Sequence, residues 1–179
     1  MTLIPPDERF GELFTSFNHT AFRLEPRERY DSPGEVEPLR RFLAGEPDDL
    51  AWNREWLDLM SAHAAAGRIV RRVRVVTVPL SDYSRFGLWC AGFAAKAGEE
   101  IRYLDRAQAE GLPDLDFWVF DSKWAAILRF DDDDVLLGAE IVTDPVVVVE
   151  LSAARDDAWH RSVSRETFSA RVEGSASAE

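Results

Sequence analysis

Apolar residues fall at helical spacing almost from the start of the chain. Over residues 7–17, Phe10, Leu13, Phe14 and Phe17 sit at i, i+3, i+4 and i+7, one face of a short helix. The period then changes. In residues 21–30, Phe22 and Leu24 alternate with Arg23 and Glu25 as in a half-exposed strand, and Pro26, which lacks an N–H, assigns that strand to a sheet edge. Ser32, Pro33, Gly34 and Glu35 have capping-box spacing with proline at the first helical position, and Leu39, Phe42 and Leu43 follow before Gly45. Pro38 kinks this helix or delays its start. A clearer helix covers 49–66, where Trp52, Trp56, Leu59, Met60 and His63 make one stripe and Gly67 is the natural stop.

From Arg68 the chain turns to strands. Residues 68–78 are rich in valine, with Val73 and Val75 on one face and Arg72, Arg74 and Val76 on the other. Ser81 or Asp82 caps the next helix, whose buried stripe is Phe86, Trp89, Cys90, Phe93 and Ala97, and Gly98 ends it. Residues 100–105 are again a strand, so this stretch is a βαβ unit with parallel strands. In residues 116–121 both alternate sets, Phe117/Val119 and Trp118/Phe120, are apolar, which predicts a strand covered on both faces. Residues 124–130 and 135–142 form an antiparallel hairpin around a turn at 131–134. Asp144 and Pro145 then open a helix to about residue 164, with Leu151, Arg155, Ala158 and Trp159 inward, although the valines at 146–149 are poor helix formers.

The expected fold class is α/β: a mixed sheet, parallel and then antiparallel, flanked by helices. Residues 1–67 are expected as a helical layer with an edge strand, packed on a core of 68–164. Residues 165–179, rich in Ser, Ala and Glu and without periodicity, are expected to be a disordered tail.

Composition narrows the function classes. The chain has 179 residues, 46% of them hydrophobic, enough for one domain with a buried core. Its 33 acidic and 21 basic residues give a net charge of −12, a field that repels phosphate and argues against general DNA binding and against anionic membranes. One cysteine and three histidines supply neither a disulfide nor a zinc site, so no metal or cofactor is expected. The opening ten residues lack the basic head and apolar stretch of an export signal. The uncharged run 86–95 is ten residues, half of the ~20 that cross a bilayer, so a cytoplasmic protein is expected.

Catalytic signatures are missing. Gly87 and Gly92 have the glycine spacing of a phosphate loop but continue into Phe93 and Ala94, and no G-x-S-x-G, G-x-G-x-x-G or H-E-x-x-H occurs. Cys90 belongs to an apolar stripe, and His19, His63 and His160 have no nucleophile or carboxylate at a recognisable spacing. The acidic run 131–134 lacks the spaced ligands and distal Glu of a calcium loop. No catalytic residue is therefore nominated.

Two candidate binding groups remain. Arg68, Arg71, Arg72 and Arg74 form a basic patch able to grip a phosphate or carboxylate; otherwise Arg68 and Arg71 are solvated and Arg72 and Arg74 pair with acids beside the sheet. The second group follows from topology, because ligands of open α/β sheets sit beyond the C-terminal ends of parallel strands. Ser81, Asp82, Tyr83 and Arg85, then Arg106, then Asp121 and Lys123 follow three successive strands and make a candidate site for a small anionic ligand. Helix capping and ordinary ion pairing are the plainer roles for the same residues.

Three stretches carry a family resemblance: 72–76 with 79–83, 97–104, and 113–121. They resemble a family of uncharacterised actinobacterial proteins often encoded beside small helix-turn-helix regulators, over residues 10–163. The resemblance implies a regulatory neighbourhood and a helix-turn-helix protein partner, with no established activity. A weaker resemblance is to the phospholipase-D-like fold, whose catalytic members use His-x-Lys-x4-Asp. Here His19 is followed by Thr20-Ala21, His63 by Ala64-Ala65 and His160 by Arg161-Ser162, so that likeness implies a fold without phosphodiesterase activity.

The expected function is a non-catalytic regulatory or protein-interaction module, gated by a small anionic ligand. An enzyme with its site at the strand ends and an acidic DNA mimic are the alternatives. All three share one consequence: random-sequence duplex DNA is not retained in a gel-shift assay at ~150 mM salt, and micromolar retention would contradict the repulsion argued from charge.

Overall fold

Among residues 3–176, which the computed structural model describes, eight strands share one sheet. They are β1 (Leu3–Ile4), β2 (Thr20–Glu25), β3 (Ile69–Val76), β4 (Glu100–Asp105), β5 (Phe117–Phe120), β6 (Trp124–Phe130), β7 (Leu136–Val142) and β8 (Val163–Ser164), in the spatial order β1-β7-β6-β5-β2-β3-β4-β8. The β2, β3 and β4 strands are parallel, and β5, β6 and β7 continue from β2 as an antiparallel meander. The fold is mixed α/β, as the periodicities predict. Parallel neighbours need crossovers, and helices supply them. α2 (Val36–Ala44) and α3 (Arg54–Ala65) lie between β2 and β3, and α4 (Asp82–Lys96) lies between β3 and β4.

The helix heads at Ser81 and Asp144 follow the expected chemistry, whereas Ser32 caps no helix with its side chain and residues 33–35 form a 3₁₀ turn. Ser81 Oγ accepts the Ser84 N–H at 3.1 Å at the head of α4. Asp144 Oδ1 accepts the Val146 N–H at 2.9 Å and Pro145 opens α5 (Pro145–Arg161), which is how a first turn rich in valine is held helical. Gly45 ends α2 with φ +67°, a conformation that a side chain would strain. The helix expected over 7–17 is α1 (Glu8–Glu12), tightening into a 3₁₀ turn at Leu13–Thr15.

Period-two alternation gives the sheet two different faces. Under α5, Phe22, Leu24, Val73, Val75, Leu104, Phe117, Val119, Ala125 and Ile127 pack with Leu151 and Ala158, with no charge among them. The opposite face has an apolar cluster at each side. One joins Phe14, Phe17 and Met60 to Trp118, Phe120 and Ala126; the other joins Leu88, Ala91 and Ala94 to Ile101 and Tyr103. All four side chains of β5 are buried, as its two apolar sets predict.

Two expectations fail. The strand placed at a sheet edge is β2, which lies inside the sheet between β3 and β5. Pro26 follows its last residue, so the missing N–H removes no ladder bond, and the first 67 residues thereby supply a central strand as well as helices. The tail expected to be disordered from residue 165 is α6 (Arg165–Ala176). Its last three residues, 177–179, lie outside the described ones. Ser164 Oγ accepts the Thr167 N–H at 3.2 Å, and Arg165 Nε donates to the Leu88 carbonyl at 3.0 Å. Phe168 is buried against Tyr103, their rings stacked with centroids 5.0 Å apart. A helix anchored by so few apolar residues has little periodicity to read. Phe168→Ala is expected to lower stability by ~3 kcal/mol, the usual cost of emptying a buried phenyl site. Urea unfolding measures it, and a loss below ~0.5 kcal/mol, typical of surface positions, would detach α6 from the core.

Candidate functional site

Between the two apolar clusters the sheet carries charge. The parallel register aligns Arg23 with Arg72 and Glu25 with Arg74, and β5 and β4 set Trp118 beside Arg23 and Tyr103 beside Arg74. Alternation sends these side chains to the face away from α5. There they assemble a buried ion cluster.

Glu25 is its centre. Oε1 is ion-paired with Arg23 Nη1 at 2.7 Å and accepts from Arg72 Nη1 at 3.2 Å, and Oε2 accepts from Arg74 Nη1 at 3.2 Å. Burial alone raises the Glu25 carboxyl, but the three guanidinia outweigh it and hold it at about 2. Two more carboxylates complete the outer arginines. Arg23 meets Asp116 in a bidentate pair at 3.0 and 3.1 Å, and Tyr30 Oη donates to the same carboxylate at 2.5 Å. Arg72 donates to Glu99 Oε1 from Nε at 2.8 Å and from Nη2 at 2.5 Å, while Trp56 Nε1 donates to Oε2 at 3.1 Å. Three cations thus alternate with three anions.

A cleft of about 840 Å³ opens over this floor. Trp52 and Trp56 from the α3 end, Tyr83, Phe86 and Cys90 from α4, and Tyr30 and Phe130 form its walls. The strand-following segment 26–35 crosses one side. It is tied down by Arg27 on Asp134, by the Asp31 N–H on the Asp134 carbonyl at 3.0 Å, and by Arg106 Nη2 on the Pro26 carbonyl at 2.6 Å. From this segment Glu35 reaches the cleft, where burial pushes its carboxyl above the usual range and Tyr83 Oη donates to it at 2.8 Å. Burial also pushes the Cys90 thiol up to about 12.

The strand-end group is not brought together. It presumes that the strand before Asp121 runs parallel to β3 and β4, and β5 runs antiparallel to β2, so Asp121 and Lys123 come at the opposite end of the sheet from Ser81 and Arg106. Asp121 instead accepts the N–H groups of Asn18, His19 and Thr20 at 2.7–2.8 Å; these hold its carboxyl low against the effect of burial. Lys123 is exposed in the same turn. Ser81 is a cap, Asp82 and Arg85 make an exposed pair at 3.2 Å, and Arg106 clamps Glu28 and Pro26. Tyr83 is the member that lines the cleft.

The basic patch divides as its plainer reading has it for Arg72 and Arg74, which pair with acids on the sheet. Arg71 pairs with Glu100 at 2.8 Å near the surface, and Arg68 Nε donates to His63 Nδ1 at 2.8 Å. Arg23, Glu25, Tyr30, Glu35, Glu99 and Asp116 were not foreseen as site residues. Their signal was the charged alternation of β2 matching that of β3, which becomes a site only once the two strands are neighbours. Among the described residues, no group of three or more His, Cys, Asp or Glu is placed to hold a metal ion.

The chain belongs to a family of unknown function: the family model described as "Domain of unknown function (DUF6879)" matches residues 8–170, which include every residue of the ion cluster. No curated protein matches the chain.

Glu25→Gln leaves three buried guanidinia short of one anion, and the expected loss at neutral pH is about 3–5 kcal/mol. Because folding lowers the Glu25 pKa, its stabilisation is complete above the ordinary value of 4.5 and is lost as pH falls toward about 2. Unfolding curves of the two proteins should therefore converge between those pH values. A gap that stayed constant down to pH 2 would show that the charge of Glu25 is not what the variant removes.

Proposed function

Within this family, we propose that the chain is a non-catalytic regulatory module that senses a small anionic ligand in the sheet-face cleft. The observation that carries the reading is a charged floor buried beneath aromatic walls. Each buried ion costs several kcal/mol of desolvation, and apolar residues of similar volume commonly hold a fold as well or better. The same sheet has that alternative on its other face, where Phe22, Leu24, Val73 and Val75 pack under α5. Charge on the cleft side is thus not required to hold the strands together, which supports a role in recognition. A volume of about 840 Å³ falls in the range of small-molecule sites.

Support for a non-catalytic site comes from the groups that face it. A thiol with a pKa pushed up to about 12 is not a thiolate at neutral pH, and among the described residues no histidine lines the cleft. The readout is a protein partner. A net charge of −12 favours a basic surface, and the likeness to chains encoded beside helix-turn-helix regulators suggests that class, as well as an actinobacterial lineage. Among the described residues no helix is long and apolar enough to cross a membrane; a place in the cytoplasm is part of the proposal.

Thermal shift against carboxylated and phosphorylated metabolites tests the reading. A ligand at a hundred times its Kd adds ~2.7 kcal/mol to stability. Trp52→Ala, in the cleft wall, should abolish that shift, and Asp121→Ala, at the far end of the sheet, should leave it unchanged. Absence of any hit, or a hit indifferent to Trp52 and sensitive to Asp121, would overturn it.

A further inference from the structure

The floor is not evenly satisfied. Arg23 and Arg72 use all three nitrogens on carboxylates. Arg74 uses one: Nη1 donates to Glu25, whereas Nε and Nη2 are buried without a hydrogen-bond partner in a side chain that is 8% exposed. Its Cζ lies over the rings of Tyr30 and Tyr83, 5.3 and 5.5 Å from their centroids. The Nε/Nη2 edge is the part of the guanidinium without a hydrogen-bond partner. Residue 87 of α4, beside this edge, is glycine, and a Cβ there would lie 3.7 Å from Arg74 Nε. Both Arg74 and Gly87 line the cleft.

Two parallel N–H groups at one edge of a guanidinium match the two oxygens of a carboxylate. Charge favours one negative group over two, because the floor arginines already balance Glu25, Glu99 and Asp116, and Glu35 stands close by on Tyr83. The nearby wall is aromatic, with Trp52 and Phe86 stacked at 5.8 Å between centroids.

Resting on the ligand-sensing reading of the same cleft, we propose that it takes an aromatic monocarboxylate. The carboxylate bridges Arg74 Nε and Nη2, and the ring packs on the wall formed by Trp52, Trp56 and Phe86. An unsatisfied buried donor pair is thereby completed, which is the source of preference for this ligand over a neutral one.

Three probes of one ring system test it on the full chain: 2-naphthoate, 2-naphthamide and 2-naphthyl phosphate, titrated by saturation-transfer NMR and calorimetry. The naphthoate is expected to bind at least about ten-fold more tightly than either of the others. Arg74→Lys, which keeps the charge and loses the paired donors, and Gly87→Met, which crowds the Nε edge of Arg74, should each weaken naphthoate until it binds no better than the amide. Should either variant fail to fold, by circular dichroism, the wild-type ranking alone decides. Equal binding of naphthoate and amide, or tighter binding of the phosphate, overturns the carboxylate assignment and leaves the cleft reading standing. Failure of all three probes to bind up to about 5 mM counts against both.

Discussion

One carboxylate holding three guanidinia is the constraint on which the cleft face of this sheet depends. Parallel pairing of β2 and β3 puts Arg23 directly beside Arg72, a like-charge contact that is unfavourable on any sheet and more so away from water. Glu25 makes the register tenable by accepting from both and from Arg74. The outer charges then need partners of their own. Glu99 and Asp116 arrive just before β4 and β5; Trp56 donates to the Glu99 oxygen that Arg72 leaves, and Tyr30 shares Asp116 Oδ2 with Arg23. Residues from six separate parts of the chain are thus fixed by one electrostatic requirement.

Separation of stability from recognition is what the alternation of a strand permits. In β2 and β3, the charged residues of the cleft face alternate with apolar ones under α5, Arg23 and Glu25 with Phe22 and Leu24, Arg72 and Arg74 with Val73 and Val75. Cohesion of the sheet comes from that apolar face, from the cluster around Phe14 and Trp118, and from the cluster around Tyr103 and Phe168. A charged floor can be carried between them because both flanks are apolar and α3 and α4 close over it. Dry surroundings strengthen every pair within the cluster and raise the cost of any donor left without one.

Elements with a strong local period were legible from sequence. The β3-α4-β4 unit, the two-faced β5, the β6–β7 hairpin and the proline-led α5 all follow from spacing, caps and turns. What was not legible depends on direction and neighbourhood. Nothing in the composition of residues 117–120 states that they run antiparallel to β2, and that single fact separates Asp121 and Lys123 from Tyr83 and Arg106. Pro26 misled because its lost donor falls one residue past the strand. α6 was missed because a Ser164 cap and a single buried phenyl leave a weak pattern. The charged positions of β2 and β3 were visible individually, yet their convergence is a non-local pairing, and the charge alternation in each strand alone is equally consistent with a solvated surface.

The segment 26–35 covers one side of the cleft and is pinned to the floor at one point, where Tyr30 Oη donates to Asp116. Its ties run to Arg106 and to the β6–β7 turn, where the arginine side chains are 38% and 34% exposed, against 3% for Glu25. Exposed pairs contribute little, whereas the buried cluster is costly to break. Local opening therefore starts at these outer ties, while the Tyr30–Asp116 bond holds the segment to the floor, since regions held by few buried contacts open at the lowest free energy. The buried pairs order the floor in the protein as it folds, so under the proposed function a ligand would not lose affinity to the ordering of that surface.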